Sequence, residues 1–217
     1  MIDNIAVITI HYQTPDLLST TIESFKKFYP DVRFVIIDNG SKDTSRTIIN
    51  TLVNRFGPAT EAVYLSNNIF HGPAMDLALR EEKERYIFFL DSDTKTLRGG
   101  FLEAMVNLME TSDRSYAVGR IDLLTKRGFI SPKGTIRCAR TPYMLIKREP
   151  YALLPPFKHH GMPTIKNFSQ ANERGLLFHD FPIQDYIEHR GKGTAERFGY
   201  QLGIKSKLDF ILNKLGF

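Results

Sequence analysis

The sequence has few of the features that mark secreted or membrane-spanning proteins. Its single cysteine, Cys138, cannot close an intrachain disulfide, so nothing indicates an oxidising compartment. No uninterrupted apolar run approaches the roughly 18 to 20 residues that a membrane-spanning helix needs. These shortages exclude a disulfide-built domain and predict a chain without transmembrane helices.

The first ten residues, MIDNIAVITI, place an acidic residue, Asp3, before a short apolar run. A secretion signal would carry lysine or arginine before that run and small residues after it. We therefore interpret the run as a buried strand and expect a cytoplasmic protein.

The chain also lacks a large net charge. It has 29 lysines and arginines and 24 acidic residues, which gives a net charge of +5. The stretch from Arg190 to Phe217 has six basic and two acidic residues, which places four of those charges at the end of the chain. The tail, 196–217, also carries apolar residues. It predicts a helix that lies on an anionic membrane, or one that packs on the domain or on a second subunit of a homodimer. We expect no nucleic-acid partner.

Apolar runs alternate with amphipathic segments along the first half of the chain. The runs NIAVITIHY, VRFVIIDNG, EAVYLS and RYIFFLD predict strands, and the segments between them have helical spacing. Buried strands that alternate with helices predict an α/β fold with a mostly parallel central sheet flanked by helices. Thr14 is expected to cap the first helix, with Pro15 at its first position.

The alternation is lost after residue 95. GGFLEAMVNLMETS predicts one more helix, whereas SYAVGRID and TIRCARTPYMLIKR predict strands that mix with loops. We expect one domain (1–217) with a first lobe at 1–95, a second lobe with a smaller mixed sheet at 96–195, and the tail.

Polar residues follow each predicted strand, where the carboxyl ends of a parallel sheet form a ligand-binding edge. Asp91 and Asp93 end the fourth strand, and two carboxylates this close repel each other and lose solvation. A divalent cation would compensate, and hard oxygen ligands suit Mg²⁺ or Mn²⁺. The alternative is that the two aspartates only cap the following turn.

The segments VITIHYQTPDLLSTTIESF, VIIDNGSKDTS, LSNNIFHGPAMDLAL and FFLDSD, followed by GGFLEAM, occur in this order. In these segments the chain resembles the family 2 glycosyltransferases of the GT-A fold, over roughly its first half. The resemblance implies a nucleotide-sugar donor, most simply a UDP-sugar, and a glycan, glycolipid or other hydroxyl acceptor. It also implies Mn²⁺ or Mg²⁺ as cofactor and inversion at the transferred sugar.

The resemblance also implies roles for single residues. The nucleotide-binding residues would be Tyr12, Thr14, Asp38, Asn39, Asn68 and Asp91. Asp93 would bind the metal directly, and Asp91 directly or through water. Asp38 has a second interpretation as a turn aspartate in DNGS, and His71, which opens the next helix, is interpreted as a surface or capping residue.

The later segment DYIEHRGKGT resembles the family's strand, histidine and small-residue turn. His189 would be the third metal ligand, and its alternative is a partly buried histidine at a strand end. A flap for the diphosphate would contain Arg190, Lys192 and Thr194, which could equally form a plain solvated loop.

The catalytic base is hard to place in the sequence, because the acidic pair that the family carries ahead of an arginine is missing. Candidates are Asp180 and Asp185, with Glu149 as a further one. His159 and His160 would line the acceptor pocket or belong to a plain loop.

Two other functions fit parts of this pattern. FFLDSDT also matches the nucleophile motif of haloacid-dehalogenase-like, Mg²⁺-dependent phosphatases, with Asp91 as nucleophile, Asp93 as acid and base, and Lys133 as a weak counterpart of the required lysine. That motif belongs on the first strand, whereas three strand-helix units precede it here. A donor-binding module without catalysis is the other alternative.

Overall fold

The computed structural model describes residues 2–126, 128–158, 162–191, 197 and 211. The strands are β1 (Ile5–His11), β2 (Arg33–Asp38), β3 (Thr60–Tyr64), β4 (Tyr86–Leu90), β5 (Thr94–Thr96), β6 (Ser115–Leu124), β7 (Ile136–Lys147), β8 (Leu177–Asp180) and β9 (Ile187–His189). The helices are α1 (Pro15–Lys26), α2 (Ser45–Phe56), α3 (His71–Glu81), α4 (Phe101–Met109), α5 (Arg148–Tyr151) and α6 (Ile165–Glu173). Within these described ranges, no helix combines the length and the apolar character needed to cross a bilayer.

Seven strands form one sheet in the order β3-β2-β1-β4-β7-β6-β8. Strands β1 to β4 are parallel, β7 is antiparallel to both of its neighbours, and β6 and β8 are parallel to each other. A smaller antiparallel sheet pairs β5 with β9. The predicted α/β fold with a mostly parallel central sheet is confirmed.

Helices cover both faces of the sheet, as the continuous apolar strands predict. Along β1, Ala6 and Ile8 face a core shared with α3 and α6, whereas Ile5 and Val7 face a core shared with α1, α2 and α4. All seven residues of β1 are buried, so this strand lies at the centre of the structure.

Helix α1 begins at Pro15, as expected, but the predicted cap is wrong in one respect. Thr14 occupies the N-cap position, yet its side chain makes no capping hydrogen bond. Its hydroxyl instead lies 3.4 Å from Oγ of Ser92, because the start of α1 packs against the turn that follows β4. Thr14 therefore links the β1–α1 connection to the turn between β4 and β5.

The β6–β7 hairpin extends beyond the end of β4. The N–H of Asp91, the first residue after β4, donates to the carbonyl of Pro142 (3.0 Å), so the part of β7 before Pro142 lies past that point. Strands β6 and β7 remain paired there, from Ile121 with Ala139 to Leu124 with Ile136. The far end of this hairpin thus projects from the edge of the sheet at which β4 ends.

Candidate metal centre and nucleotide pocket

The carboxyl ends of β1, β2 and β4 lie side by side. His11 at the end of β1 is in register with Asp38 at the end of β2, and Ile8 is in register with Phe89 of β4. The residues that follow these strands therefore meet at one edge of the sheet, where ligands bind in open α/β folds.

Two aspartates and a histidine meet at this edge. One ligand atom from each of Asp91, Asp93 and His189 lies within 4.8 Å of the other two. Nε2 of His189 is 3.2 Å from Oδ1 of Asp93. The two segments are held together because Thr94 of β5 pairs with His189 of β9, and the N–H of Arg190 donates to the carbonyl of Asp93 (3.0 Å).

Threonine hydroxyls hold the turn that carries the aspartates. The Thr94 hydroxyl donates to the carbonyl of Asp91 (2.8 Å), and the Thr9 hydroxyl donates to the carbonyl of Leu90 (2.7 Å). The Thr21 hydroxyl lies within hydrogen-bonding distance of the Ser92 and Thr94 carbonyls (2.9 and 2.8 Å). Both Thr21 and Thr94 are buried, so the turn is fixed from inside the core.

The electrostatics of the cluster favour a positive ligand. Burial raises the pKa of the Asp91 carboxyl, and the neighbouring charge of Asp93 raises it further, while His71 and His189 oppose the shift. The hydrogen bond with Asp93 raises the pKa of His189, against a smaller effect of burial. Without a cation the charged form of Asp91 is therefore disfavoured, and a positive ligand would offset that cost.

This donor set suits a divalent cation. Two carboxylates and an imidazole are ligands that Mn²⁺ accepts, and Mg²⁺ is bound through one or two carboxylates together with phosphates. The side chains of Asp91, Asp93 and His189 are 25%, 9% and 34% exposed, so the cluster is partly open to solvent and accessible to a ligand. The residues present fit such a cofactor, and their roles as ligands stay predictions.

His71 belongs to this site, although the sequence pattern suggested only a surface or capping residue. It is the first residue of α3, and its Nε2 lies 3.7 Å from Oδ1 of Asp91. One signal could have indicated it, because a residue that follows β3 lies at the same edge as one that follows β4.

The predicted nucleotide-binding side is built around the ends of β2 and β3. Oδ1 of Asp38 accepts a hydrogen bond from the N–H of Ser41 (3.1 Å), so Asp38 does act as a turn aspartate. Nδ2 of Asn39 donates to Oδ1 of Asn68 (3.1 Å), and Oδ1 of Asn39 accepts from the N–H of Ile69 (2.9 Å). The two asparagines therefore hold together the loops that follow β2 and β3.

The remaining nucleotide-side candidates differ in exposure. Tyr12 is half-buried just beyond β1, whereas Thr14 is completely buried. The Thr14 hydroxyl lies 3.4 Å from that of Ser92, in the turn between the two aspartates. The roles predicted for Tyr12 and Thr14 in base binding stay predictions.

Gly40, which follows the end of β2, is expected to be sensitive to substitution. It has φ +77°, and a Cβ there would lie 2.5 Å from the backbone carbon of Asn67. Replacing Gly40 by alanine should destabilise the fold by about 2 to 3 kcal/mol, combining backbone strain with displacement of the Asn67 loop. Gly100, with φ +86° and open space around its Cα, is the matched control and should cost about 1 kcal/mol. Equal losses in urea unfolding would contradict the close contact.

His11 makes the stability of the fold depend on pH. Its side chain is fully buried, Nε2 lies 2.8 Å from the Ser45 hydroxyl, and burial lowers its pKa to about 4, against the raising effect of Asp38. Because the folded pKa lies below the unfolded value, the unfolded state binds the proton first as the pH falls. The contribution of neutral His11 to the free energy of unfolding should therefore be fully present above pH 6.5 and decline as the pH falls toward 4.

We expect His11 to account for a loss of about 2 kcal/mol between pH 8 and pH 5. Urea unfolding at both pH values, with a chelator present, measures this loss. The His11→Gln variant keeps a polar side chain but cannot be protonated, so its loss should be smaller by that amount. A variant with the wild-type pH dependence would show that His11 is not responsible.

The base candidates lie apart from the metal cluster. Asp180 is on the row Phe89–Met144–Gly119–Asp180 across the sheet, three strand spacings from β4, or about 14 Å. Its carboxylate accepts hydrogen bonds from the N–H of Ile121 (2.8 Å) and from Arg120 (3.4 Å). The structure therefore does not bring Asp180 to the aspartate pair, because β7 and β6 separate their strands.

Neither Asp185 nor Glu149 belongs to the cluster of Asp91, Asp93 and His189. Asp185 is exposed at the end of a short 3₁₀ turn, Ile183–Asp185, and β9 separates it from His189. Glu149 is in α5, directly after Lys147, which pairs with the first residue of β4. Glu149 thus lies at the opposite edge of the sheet, which makes its assignment as base wrong.

The predicted flap is only partly described. Arg190 is exposed and joined to Asp93 through its backbone, and Gly191 follows with φ +64°. Lys192, Thr194, His159 and His160 lie outside the described residues, as does the tail apart from Arg197 and Ile211. Arg197 forms a two-fold hydrogen bond with Asp16 of α1 (2.8 and 2.9 Å).

The seven-stranded, mostly parallel sheet in this strand order is the fold of the GT-A glycosyltransferases, and the acidic cluster lies at the carboxyl edge of its parallel strands. The family model for glycosyl transferase family 2 matches residues 6–171. The chain belongs to this family. This result decides against the phosphatase hypothesis.

Individual relatives agree with the family assignment. A Bacillus subtilis (strain 168) protein named for teichuronic acid biosynthesis, the glycosyltransferase TuaG, is 29% identical over 109 residues, covering 50% of this chain and 43% of its own length. The Escherichia coli enzyme WfaP, named UDP-Glc:α-D-GlcNAc-diphosphoundecaprenol β-1,3-glucosyltransferase, is 32% identical over 92 residues, covering 41% of this chain and 35% of its own. The chain thus spans less than half the length of these curated relatives.

A solved structure shares the fold. The mannosyltransferase PcManGT from Pyrobaculum calidifontis, in complex with GDP-Man and Mn²⁺, has a TM-score of 0.68 at 16% identity. The match covers 82% of this chain and 55% of that one.

Proposed function

We propose that the protein transfers a hexose from a nucleoside-diphosphate donor, most simply a UDP-sugar, to a hydroxyl group of a bacterial cell-wall polysaccharide or glycolipid. The observation that carries the proposal is the cluster of Asp91, Asp93 and His189 beside the ends of β1 and β2. The named activities of the relatives support it, since one uses UDP-Glc and acts on a lipid-linked diphosphate, and another is named for teichuronic acid biosynthesis.

The metal would be held by Asp93 and His189 directly, and by Asp91 directly or through water. Bound there, Mn²⁺ or Mg²⁺ would neutralise the negative charge that develops on the departing diphosphate. The chain itself positions these ligands through the β5–β9 pairing, and His71 places a further donor beside Asp91. Arg190, with Lys192 and Thr194, would close over the same phosphates.

The two lobes would divide the work. Residues 1–95 would bind the nucleotide through Asp38, Asn39, Asn68 and Tyr12, while 96–195 would bind the acceptor and supply the base for an inverting reaction. We prefer Asp185 as the base, because the Asp180 carboxylate already forms an ion pair with Arg120. The tail, 196–217, would contact an anionic membrane or a second subunit.

A thermal-shift panel tests donor and metal together. Nucleotide sugars with uracil or guanine bases are added with and without Mn²⁺, because a ligand that binds the folded state raises Tm by mass action. We expect one base class to raise Tm in a manner that requires Mn²⁺. A panel without any metal-dependent shift would contradict the proposal.

A transfer and donor-hydrolysis assay separates an enzyme from a binding module. Release of the nucleoside diphosphate with Mn²⁺ present is expected for the enzyme. Donor affinity without release would support the binding module. The distance of Asp180 from the metal cluster is the observation that favours this alternative. Asp185→Asn and Asp180→Asn in the same assay distinguish the two base candidates, since only the true base should lose transfer and retain donor binding.

A further inference from the structure

The described residues of the loop between β6 and β7, 125–126 and 128–135, which we call the hairpin tip, present apolar side chains to solvent. Phe129 and Ile130 are 50% and 67% exposed, and Leu123, just before the tip, is 36% exposed. Single exposed apolar residues are common on protein surfaces, but a group of large ones at one projecting point indicates an interaction site.

The backbone holds these residues in an ordered arrangement. The N–H of Thr125 donates to the carbonyl of Phe129, and the N–H of Ser131 donates to the carbonyl of Leu123, both at 2.9 Å. Ile130 forms an antiparallel bridge with Leu124, whose own side chain is buried in the core. The exposed side chains are thus positioned by strand pairing on a hairpin that is anchored to the domain.

The same segment is strongly basic. From Leu123 to Arg137 the sequence contains Lys126, Arg127, Lys133 and Arg137 and has no acidic residue. Lys126 and Lys133 are exposed. Apolar and aromatic side chains flanked by lysines are the combination that binds the interface of an anionic bilayer, through apolar insertion and attraction to lipid phosphates.

The position of the hairpin tip relates it to the candidate site. The hairpin extends past Asp91, at the edge where β1, β2 and β4 end. A surface that touches the tip therefore lies beyond the same edge of the sheet as the metal cluster.

We propose that the hairpin tip docks on an anionic lipid bilayer, with Phe129 and Ile130 entering the headgroup region and Lys126 and Lys133 pairing with lipid phosphates. Docking brings the carboxyl edge of the sheet toward the membrane. The consequence for a lipid-linked acceptor rests on the proposed function, whereas the docking itself does not.

Tryptophan fluorescence tests the contact directly, because the chain contains no tryptophan. In the full-length Ile130→Trp variant, vesicles of phosphatidylcholine with phosphatidylglycerol should shift the emission to shorter wavelength. The control is Leu153→Trp, at a residue that is 72% exposed and follows α5 at the opposite edge of the sheet. Its emission should not change.

Vesicle co-sedimentation tests the charges and the apolar side chains. The Lys126→Gln/Lys133→Gln variant should lose at least about tenfold in partition coefficient, and Phe129→Ser/Ile130→Ser should lose a similar factor. Lys27→Gln/Lys83→Gln removes two exposed lysines from the opposite edge of the sheet and should bind as wild type does. Urea unfolding of each variant, compared with wild type, shows that it is folded.

Two results would overturn the inference. One is vesicle binding that leaves the emission of the Ile130→Trp variant unchanged, since the tail would then be the binding element. The other is a blue shift that grows with protein concentration without vesicles, which would make the tip a contact between copies. Neither result affects donor binding, and a loss of sugar transfer alone would leave the docking result intact.

Discussion

Replacing Asp93 by asparagine is expected to reduce sugar transfer at least about 10³-fold and to abolish the Mn²⁺-dependent Tm increase given by the donor. The Asp93 side chain is 9% exposed and its Oδ1 lies 3.2 Å from Nε2 of His189, so its carboxylate faces the other ligands of the cluster. Asparagine keeps the size and can still bond His189, but it removes the charged oxygen that a hard cation requires.

The matched control for Asp93→Asn is Asp113→Asn. Asp113 is exposed between α4 and β6, at the edge of the sheet away from the cluster, so this change should leave transfer and the thermal shift as they are. If Asp93→Asn kept a metal-dependent shift with the donor, the metal would have to bind elsewhere. Unfolding without ligand, measured for both variants, separates loss of the site from loss of the fold.

Replacing Lys26 by methionine is expected to lower the free energy of unfolding by about 4 kcal/mol. Lys26 is 4% exposed, and its ammonium group donates to the carbonyls of Pro30 (3.2 Å), Val32 (2.7 Å) and Ala59 (2.9 Å). Methionine fills a similar volume but leaves three carbonyl oxygens without this donor. These contacts join the end of α1 to the starts of β2 and β3.

Lys27→Met is the control for Lys26→Met, since Lys27 follows on the same helix end but is exposed, and it should change stability by less than about 0.5 kcal/mol. Urea unfolding with a common m-value measures both variants. Because Lys26 lies at the edge opposite the metal cluster, the folded fraction of the variant should still bind donor. A loss below about 1 kcal/mol for Lys26→Met would mean that water replaces the ammonium group.

The class of fold was predictable because it depends on local periodicity. The apolar runs at Ile5–His11, Arg33–Asp38 and Tyr86–Leu90 became buried strands at the places expected from sequence. The aspartate pair was predictable for the same reason, since Asp91 and Asp93 are two residues apart and follow such a strand. Their placement at the carboxyl edge needed only the rule that parallel strands end together.

The sequence was less informative about residues whose role depends on distant contacts. Threonine is a common N-cap residue, and Thr14 stands at that position. Its hydroxyl, however, lies next to Ser92 and makes no capping hydrogen bond. His71 looked like a surface residue until α3 placed it 3.7 Å from Asp91. Glu149 and Asp180 are acids of the expected kind, yet the sheet order puts the first at the wrong edge and the second several strands away.

Local pattern alone was enough to set the α/β class, the acidic ending of β4 and the basic character of the last segment, because each depends on neighbours along the chain. Only the tertiary structure places His189 beside Asp93, extends the β6–β7 hairpin past the end of β4, and separates Asp180 from the metal cluster. These three outcomes depend on strand register and sheet order, which are decided by the packing of segments that are remote in sequence.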